Sequence, residues 1–240
     1  MINFAHRGAS NDYPENTLLA FENAIKIGAT GIELDVHKTK DNILVVIHDE
    51  DVERTFLGKG LIKDFNFNDL LKLRNRRKLF EDNEKCRIPT LEEVLKLVKE
   101  SDVLLNIEIK NDEVDYLNIE EDTIKLVKKY NLQERVILSS FNHKAVKRCK
   151  EIDETIKTGI LYDEDIENVI EYAKCLKADA IHPSIKLVTE DLIKEAKENN
   201  IAVNTYTVNN PVHMRKLISL KVDGLFTDYP ELLRDIMQNK

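Results

Sequence analysis

The sequence has few cysteines, no tryptophan and no long hydrophobic run. Its three cysteines, Cys86, Cys149 and Cys175, are widely spaced and form no C-x-x-C pair. An odd number of scattered cysteines is typical of reduced thiols and argues against a disulfide framework or a zinc site. No apolar segment approaches the roughly 20 residues that span a bilayer, and the N-terminus lacks the pattern of a signal peptide. We therefore expect a soluble, cytoplasmic protein without stable membrane insertion.

An excess of basic residues is also absent. The chain has 36 lysines and arginines against 44 acidic residues, which gives a formal net charge of −8. General nucleic-acid binders normally present a basic surface, so we expect no nucleic-acid partner. With 42% hydrophobic and 33% charged residues, the composition is that of a folded protein and excludes a disordered chain. The composition does not predict an oligomeric state.

The second half of the chain alternates regularly between strand and helix patterns. Short β-branched runs begin near residues 135, 155, 179, 201 and 222, and the segments between them have helical periodicity. Thr90 and Glu93 predict a capping box at the start of one helix. Asn210 and Pro211 predict the N-cap and first residue of another. Repeated βα units of this kind indicate a parallel sheet covered by helices.

We predict eight strands, each followed by a helix. The strands lie near 2–6, 31–36, 103–110, 136–141, 156–161, 179–182, 201–207 and 223–227. The helices lie near 16–27, 90–99, 118–130, 142–150, 165–175, 188–198, 210–219 and 230–238. This pattern predicts an α/β fold, a (β/α)₈ TIM barrel formed by residues 1–240 as one domain. A doubly wound sheet is the alternative, but the chain lacks a glycine-rich phosphate-binding turn after its first strand.

One region interrupts the alternation. After the second strand, the turn residues 40–42 and the apolar run 43–48 predict a hairpin in place of a helix. Residues 49–88 show no clear periodicity and include a basic run at 74–78, which we expect to be solvated. We predict that 37–88 is a small insertion after the second strand, at the end of the barrel where loops usually determine specificity.

Residues capable of chemistry occur where the first strand ends. His6 and Arg7 are followed by Gly8, which allows a sharp turn that leaves both side chains at the barrel mouth. Taken alone, such a pair is most simply part of a surface loop. Its significance depends on what the neighbouring strands contribute.

The second strand places two carboxylates on one face. Glu33 and Asp35 alternate with Ile32, Leu34 and Val36, so both acids point into the barrel when the apolar face packs on helices. Buried carboxylates repel each other and lose hydration, so a positive charge must compensate. Oxygen ligands of this kind suit one hard divalent cation, Mg²⁺ or Ca²⁺.

The third strand adds to this group. Glu108 alternates with two isoleucines and joins the inward-facing carboxylates, and Lys110 lies one pleat nearer the mouth. A salt bridge from Lys110 without a metal is the alternative. One lysine balances only one of three carboxylates, so we favour a metal site formed by Glu33, Asp35 and Glu108.

The predicted hairpin brings a second histidine to the carboxylates. If its turn centres on Lys40 and Asp41, the numbers of paired residues sum to about 81 and His48 lies opposite Glu33, unless a bulge shifts the register. Two histidines beside a metal site, with cationic side chains close by, suit general acid–base cleavage of an anionic substrate such as a phosphate diester.

A series of short motifs extends along the chain, each of them weak alone. They are H-R-G at 6–8, P-E-N-T at 14–17, E-L-D at 33–35, H-D at 48–49, R-T at 54–55, G-K-G at 58–60, I-P-T-L-E-E at 88–93, E-I-K at 108–110, V-N-T-Y-T-V-N at 203–209 and D-G-L-F-T-D at 223–228. Taken together, the order and spacing of these motifs are specific: the sequence resembles the glycerophosphodiester phosphodiesterase family over essentially its whole length.

The resemblance implies a TIM barrel with a small inserted subdomain. It also implies metal-dependent hydrolysis of small glycerophosphodiesters, such as glycerophosphocholine or glycerophosphoethanolamine, to glycerol 3-phosphate and an alcohol. By motif, the family's metal ligands match Glu33, Asp35 and Glu108, its acid–base pair matches His6 and His48, and its phosphate-contacting positions match Arg7 and Lys110. Glu15 lies within a family motif, and the resemblance implies a position near the metal or Arg7.

The chain departs from the family at Tyr206, where tryptophan is common. Tyrosine keeps an aromatic wall but adds a hydroxyl group and reduces the area. The departure concerns the pocket for glycerol or the alcohol and leaves the hydrolytic residues intact. Two questions stay open at this level: which histidine is the base, and whether water or the glycerol 2-hydroxyl attacks phosphorus.

Two other functions are compatible with the same barrel. A phospholipase would need access to lipid, whereas the short polar insertion favours soluble substrates. A non-catalytic barrel would have no need to keep both histidines, the three carboxylates, Arg7 and Lys110. The other histidines receive simpler interpretations. His37, on the hairpin next to the cluster, either supports the residues of the cluster or, more simply, faces solvent. His143 and His213 lie on helix surfaces, and His182 either lines the pocket or is structural.

Overall fold

Strands and helices alternate around a closed barrel in the computed structural model, which describes residues 1–238. The strands are β1 (Ile2–Ala5), β2 (Gly31–Lys38), β3 (Leu44–Val46), β4 (Leu104–Ile109), β5 (Val136–Ser140), β6 (Lys157–Tyr162), β7 (Ala180–Pro183), β8 (Ala202–Thr205) and β9 (Gly224–Thr227). The helices are α1 (Leu18–Lys26), α2 (Phe67–Leu70), α3 (Leu91–Lys99), α4 (Ile119–Lys129), α5 (His143–Ile152), α6 (Val169–Cys175), α7 (Glu190–Glu198), α8 (Pro211–Leu220) and α9 (Pro230–Gln238).

The strand order confirms the predicted (β/α)₈ barrel. The order is β1-β9-β8-β7-β6-β5-β4-β2-β3, and pairing of β1 with β2 closes the ring. The eight strands of the ring pair in parallel, whereas β3 pairs antiparallel with β2 outside it. Asn239 and Lys240, the last residues of the predicted domain 1–240, lie outside the described residues.

The helix boundaries follow local capping chemistry. At the start of α3, Thr90 and Glu93 form the predicted capping box. At the start of α8, Asn210 accepts a hydrogen bond from Val212 N–H, and Pro211 is the first residue, as predicted. Helix α6 begins later than the predicted residue 165, because Asn168 adopts a left-handed conformation (φ 53°) that no helix interior accommodates.

The hydrophobic core lies between the strands and the surrounding helices. On β2, Ile32, Leu34 and Val36 are fully buried in the largest apolar cluster, which leaves the alternate residues of the strand facing the barrel interior. Part of that interior is filled by stacked rings of Phe4 and Phe226, whose centroids are 4.6 Å apart. On β2 the pleat therefore sends apolar side chains outward and Glu33 and Asp35 inward.

The insertion has its own small apolar cluster, formed by Val45, Ile47, Val52, Phe56, Ile62, Leu70 and Ile88. It contains β3, α2 and three short 3₁₀ segments at 62–64, 78–80 and 84–86. Within the basic run at 74–78, Arg77 donates to the carbonyl oxygens of Ser10 and Asp12. The insertion is thus fastened to the loop that follows β1.

In the described part of the chain, no helix has the length and apolarity that crossing a bilayer requires.

The predicted hairpin exists, but its predicted register is wrong by one residue. Val36 pairs with Val46, so paired numbers sum to 82, and the ladder ends before His48. The turn is centred on Asp41, because Thr39 N–H donates to Ile43 O and Asn42 takes a left-handed conformation (φ 63°). His48 is therefore not paired with Glu33 and lies in the loop just beyond β3.

Candidate active site

Glu33, Asp35 and Glu108 come together on the inner side of the barrel. Glu33 and Asp35 are two positions apart on β2 and so share a face, and Glu108 is directly opposite Asp35 on β4. All three side chains are buried, and one carboxylate oxygen of each lies within 4.8 Å of the others. The parallel register of two adjacent strands thus builds the cluster predicted from alternation.

The three carboxylates perturb one another strongly. Burial raises the pKa of Glu33 well above its usual range, and the charges of Asp35 and Glu108 add to the rise. Burial, followed by the Asp35 charge, also raises the pKa of Glu108. Burial would raise the pKa of Asp35 as well, but the charges of Arg7, His48 and Lys110 lower it overall. The cluster therefore favours an additional positive charge beside its members.

The donor set fits a hard divalent cation. Every donor is a carboxylate oxygen, the ligand type that Mg²⁺ and Ca²⁺ prefer. Asn16 donates to Oδ2 of Asp35 at 2.7 Å, whereas Oδ1 of Asp35 is buried and has no hydrogen-bond partner in the structure. A buried carboxylate oxygen without a partner is costly, and a bound cation would remove that cost. Among the histidine, cysteine and acidic side chains of residues 1–238, these three acids are the one group of three or more that lie close enough together to hold a metal ion.

His6 is held through one ring nitrogen at the end of β1. Its Nδ1 lies 2.6 Å from Oδ1 of Asp228, which follows β9. Asp228 is fixed in turn by Asn209 Nδ2 at 2.6 Å and by the Ser10 hydroxyl at 3.1 Å. Burial would raise the pKa of Asp228, but the hydrogen bond and charge of His6 and these donors lower it to about 2. An ionised carboxylate thus occupies Nδ1 and leaves Nε2 of His6 available to a ligand.

His48 is held in the same manner by a different carboxylate. Its Nδ1 lies 2.7 Å from Oδ1 of Asp49, and its backbone carbonyl accepts a hydrogen bond from Nε2 of His37 at 3.0 Å. The expectation that His37 faces solvent is wrong: it is fully buried, and its Nδ1 lies 3.0 Å from the Tyr116 hydroxyl. Burial lowers the pKa of His37, in keeping with a neutral ring that supports the loop carrying His48.

Arg7 links the loop after β1 to the acidic cluster. Its backbone N–H donates to Oε2 of Glu33 at 2.8 Å, and its guanidinium lies 3.6 Å from Oδ2 of Asp35. The guanidinium also donates to Oε1 of Glu15 at 2.9 Å, so Glu15 contacts Arg7 as the resemblance implied. The turn needs Gly8 (φ 83°), because a Cβ there would lie 2.7 Å from the Cβ of Ala20.

Lys110 forms the salt bridge that the sequence offered as an alternative. Its Nζ lies 2.9 Å from Oε1 of Glu108. Burial alone would lower the pKa of Lys110, but the charges of Glu108 and Asp35 raise it overall. The bridge satisfies one oxygen of one carboxylate, whereas the contacts to Glu33 and Asp35 described above come from Arg7 and Asn16.

A pocket of about 190 Å³ opens beside the cluster. One side is polar and the other largely apolar; the lining residues are His6, Arg7, Glu33, His48, Asn106 and Glu108, and then Phe141, Leu161, Tyr206, Thr207 and Phe226. The Tyr206 ring meets Phe141 edge-on, with centroids 5.9 Å apart. The Tyr206 hydroxyl is buried without a hydrogen-bond partner, and burial raises its pKa. A small molecule with an anionic end and a less polar end fits such walls.

Sequence reasoning missed the residues that hold the histidines and Asp35. Asp228, Asp49 and Asn16 all occur in the motifs quoted above, but no contact was assigned to them. Their partners are separated from them by very different distances along the chain, from adjacent residues to 222 positions for His6 and Asp228. Membership of a motif was the only available signal, and it does not specify which side chains touch.

Two other histidines are not among the residues that line the pocket. His143 bonds Tyr172 and a backbone carbonyl, and His182 is buried inside the barrel.

Comparison with known proteins gives consistent matches. The model of the glycerophosphoryl diester phosphodiesterase family matches residues 6–232. A glycerophosphodiester phosphodiesterase of Caldanaerobacter subterraneus is 43% identical over 234 residues, covering 98% of this chain and 96% of that protein. Among solved structures, an Oleispira antarctica phosphodiesterase in complex with its product sn-glycerol-3-phosphate superposes with a TM-score of 0.91, at 26% identity and with 98% and 96% of the two chains covered. A Thermotoga maritima glycerophosphodiester phosphodiesterase gives a TM-score of 0.79 at 31% identity, with 98% of both chains covered.

Proposed function

The chain belongs to the glycerophosphodiester phosphodiesterase family, and from this membership we propose that its substrates are small soluble glycerophosphodiesters such as glycerophosphocholine or glycerophosphoethanolamine. The products would be glycerol 3-phosphate and an alcohol. One observation carries the proposal: two histidines, each bound through Nδ1 to a carboxylate, line the same pocket as Arg7, Glu33 and Glu108. The product complex of the Oleispira antarctica relative supports the choice of substrate class.

We propose that Glu33, Asp35 and Glu108 hold one divalent cation, Mg²⁺ or Ca²⁺. Support comes from the closeness of the three carboxylates and from the unpartnered Oδ1 of Asp35. When bound, such an ion supplies positive charge for the phosphate oxygens as negative charge develops on them. Arg7 and Lys110 add cationic groups at the same end of the barrel, and we propose that both contact the phosphate.

His6 and His48 form the acid–base pair in this proposal. Because a carboxylate occupies Nδ1 of each ring, proton exchange with the substrate falls to Nε2. One histidine removes the proton of the nucleophile and the other protonates the leaving oxygen. The nucleophile is either water or the glycerol 2-hydroxyl; attack by the hydroxyl releases the alcohol and forms a cyclic phosphate that water then opens. Phosphorus NMR during turnover distinguishes the two routes by the presence or absence of the cyclic ester.

Glu15 and Tyr206 have supporting roles in the proposal. Glu15 accepts a hydrogen bond from Arg7 and so fixes the guanidinium direction. Tyr206, with Phe141, forms the wall that would receive glycerol or the alcohol. We also propose that residues 1–240 act as one catalytic domain with its insertion at 37–88, and that the enzyme works in the cytoplasm, where its three unpaired cysteines stay reduced.

Release of glycerol 3-phosphate from glycerophosphocholine tests the proposed function. The assay is run with Mg²⁺, with Ca²⁺ and with excess chelator, and we expect release only in the presence of metal. His48→Asn is expected to lower turnover by about 10²–10⁴-fold, the usual loss of a general acid or base. His213→Asn, an exposed position on α8, serves as the matched control.

Two results would count against the proposal. No release at any divalent metal concentration would contradict the enzymatic function. Faster cleavage of a long-chain lysophospholipid than of glycerophosphocholine would replace the proposed substrate class with lipid substrates.

A further inference from the structure

We infer that Arg54, on the insertion, is a positioning residue that joins His48 and Arg7 into one chain of hydrogen bonds. The inference rests on the proposed function, in which His48 moves a proton and Arg7 contacts the phosphate. It assigns a task to the insertion beyond substrate selection: holding two groups of the pocket in a fixed mutual geometry. Arg54 does not line the pocket, so it would act through its neighbours.

The first half of the chain of contacts leads from Arg54 to His48. Nε of Arg54 donates to Oδ2 of Asp49 at 2.6 Å, and one terminal nitrogen donates to Oδ1 at 3.0 Å. The same Oδ1 lies 2.7 Å from Nδ1 of His48. A carboxylate clamped by two parallel hydrogen bonds has little freedom to rotate, so the imidazole that it holds is fixed as well.

The second half leads from Arg54 to Arg7. The two terminal nitrogens of Arg54 donate to Oε2 and Oε1 of Glu15 at 2.8 and 2.7 Å. Oε1 of Glu15 also accepts from Arg7 at 2.9 Å. Glu15 therefore lies between two guanidinium groups, and Arg54 determines how it is oriented toward Arg7. Positions 7, 15, 48, 49 and 54 form one connected network across two loops.

The chemistry of arginine suits this task and that of lysine does not. A planar guanidinium carries five N–H donors in fixed directions, and here it makes bidentate contacts with two carboxylates at once. A lysine ammonium is a point charge that cannot reproduce both pairs. The hydrogen bonds and charges of the network overcome burial and lower the pKa of Asp49 and Glu15, so both carboxylates are ionised at neutral pH.

The two histidines differ in this respect. Asp228, the partner of His6, receives hydrogen bonds from the neutral side chains of Asn209 and Ser10. Asp49, the partner of His48, receives them from the Arg54 guanidinium, which is also linked to Arg7 through Glu15. Loss of Arg54 should therefore disturb His48 and Arg7 together and leave His6 unaffected.

Steady-state kinetics of Arg54→Gln and Arg54→Lys test the inference. Arg54→Gln is expected to lower kcat by about 100-fold through displacement of His48 and to raise KM through loosening of Arg7. Arg54→Lys should recover part of kcat, because a single charge still attracts one of the carboxylates. In the double variant, KM should rise by less than the product of the fold-increases that Arg54→Gln and Glu15→Gln cause separately, because both substitutions act through Arg7.

A matched control and a spectroscopic measurement separate positioning from a general structural effect. Arg74→Gln removes another insertion arginine, whose salt bridges are with the exposed side of the insertion at Glu81 and Asp82, and it should leave kcat and KM unchanged. In proton NMR spectra, the Nδ1–H resonance of His48, assigned by its loss in His48→Asn, should shift or broaden in Arg54→Gln. The corresponding resonance of His6 should stay in place.

The outcomes distinguish this inference from the function on which it rests. An active wild-type enzyme together with unchanged kcat, KM and His48 resonance in Arg54→Gln would overturn the inference and leave the function standing. An inactive wild-type protein would overturn the proposed function, and the NMR comparison would still decide whether Arg54 positions His48. Equal losses in Arg54→Gln and Arg74→Gln would also overturn the inference, because they would indicate a general effect on the insertion.

Discussion

Mild acid should destabilise this protein through His182, a histidine that solvent does not reach. Its side chain is fully buried inside the barrel, its ring lies 5.2 Å from that of Phe226, and its Nε2 accepts a hydrogen bond from Asn204 Nδ2 at 3.1 Å. Nδ1 has no partner in the structure. Because a cation in this position would lose its hydration without compensation, burial lowers the pKa of His182 to about 3.

The size of the effect follows from the difference between the folded and unfolded pKa. The unfolded chain has a histidine pKa of 6.5, so it binds a proton in the range from 6.5 down to about 3, where the folded protein does not. The free energy of unfolding is therefore unaffected above pH 7 and falls as pH decreases below 6.5. Between pH 7 and pH 5, His182 alone should remove about 2 kcal/mol.

Urea unfolding followed by circular dichroism at pH 7, 6 and 5 measures this loss. His37 is also buried with a lowered pKa and contributes to the same slope, so the decisive quantity is a difference between variants. His182→Gln should be less stable at pH 7 but should lose about 2 kcal/mol less than wild type between pH 7 and pH 5. His213→Gln, at an exposed position, should keep the wild-type slope. Equal slopes for wild type and His182→Gln would refute the reasoning.

Three further predictions concern the pocket and the barrel interior. Asp228→Asn should lower kcat by about 10²–10⁴-fold with little change in KM, because His6 loses its ionised partner; wild-type kcat would contradict this. Glu33→Gln should weaken Mg²⁺ or Ca²⁺ binding by at least tenfold in isothermal titration calorimetry, whereas Glu22→Gln, at a half-buried carboxylate on α1 that pairs with Lys85, should bind like wild type. Gly159→Ala should lower the free energy of unfolding by about 1–3 kcal/mol in urea, because its Cβ would lie 2.6 Å from a buried imidazole nitrogen; unchanged stability would show that the interior can adapt.

The fold was predictable because its signals are local and repeated. Each βα unit has its own strand pattern and helix start, and the caps at Thr90 and Asn210 occur as predicted. The acidic cluster was predictable for a related reason. Alternation along β2 and β4 decides which face each side chain takes, and parallel pairing of adjacent strands then brings Asp35 and Glu108 opposite each other.

The insertion was less predictable because its geometry depends on contacts between distant residues. A one-residue difference in the turn at Asp41 changes every pair in the hairpin, and alternation alone does not settle it. His37 was expected in solvent because hairpins usually have an exposed side, but Tyr116 from the loop after β4 covers it. The partner of His6 likewise comes from a tertiary contact, with Asp228, 222 positions away, and the partner of His48 is the adjacent Asp49; periodicity carries no signal for either contact.

The hydrogen bond between His6 and Asp228 joins the first strand of the chain to the last. The acidic cluster requires only β2 and β4, so a nascent chain has synthesised all three carboxylates 120 residues before it reaches Asp228. The partner of His6, by contrast, is made only after β9 has been synthesised. Ribosome-bound chains that stop short of β9 would therefore carry the acids of the candidate metal site without a properly held His6. Activity should therefore appear only after β9 has paired with β1, when the barrel is complete.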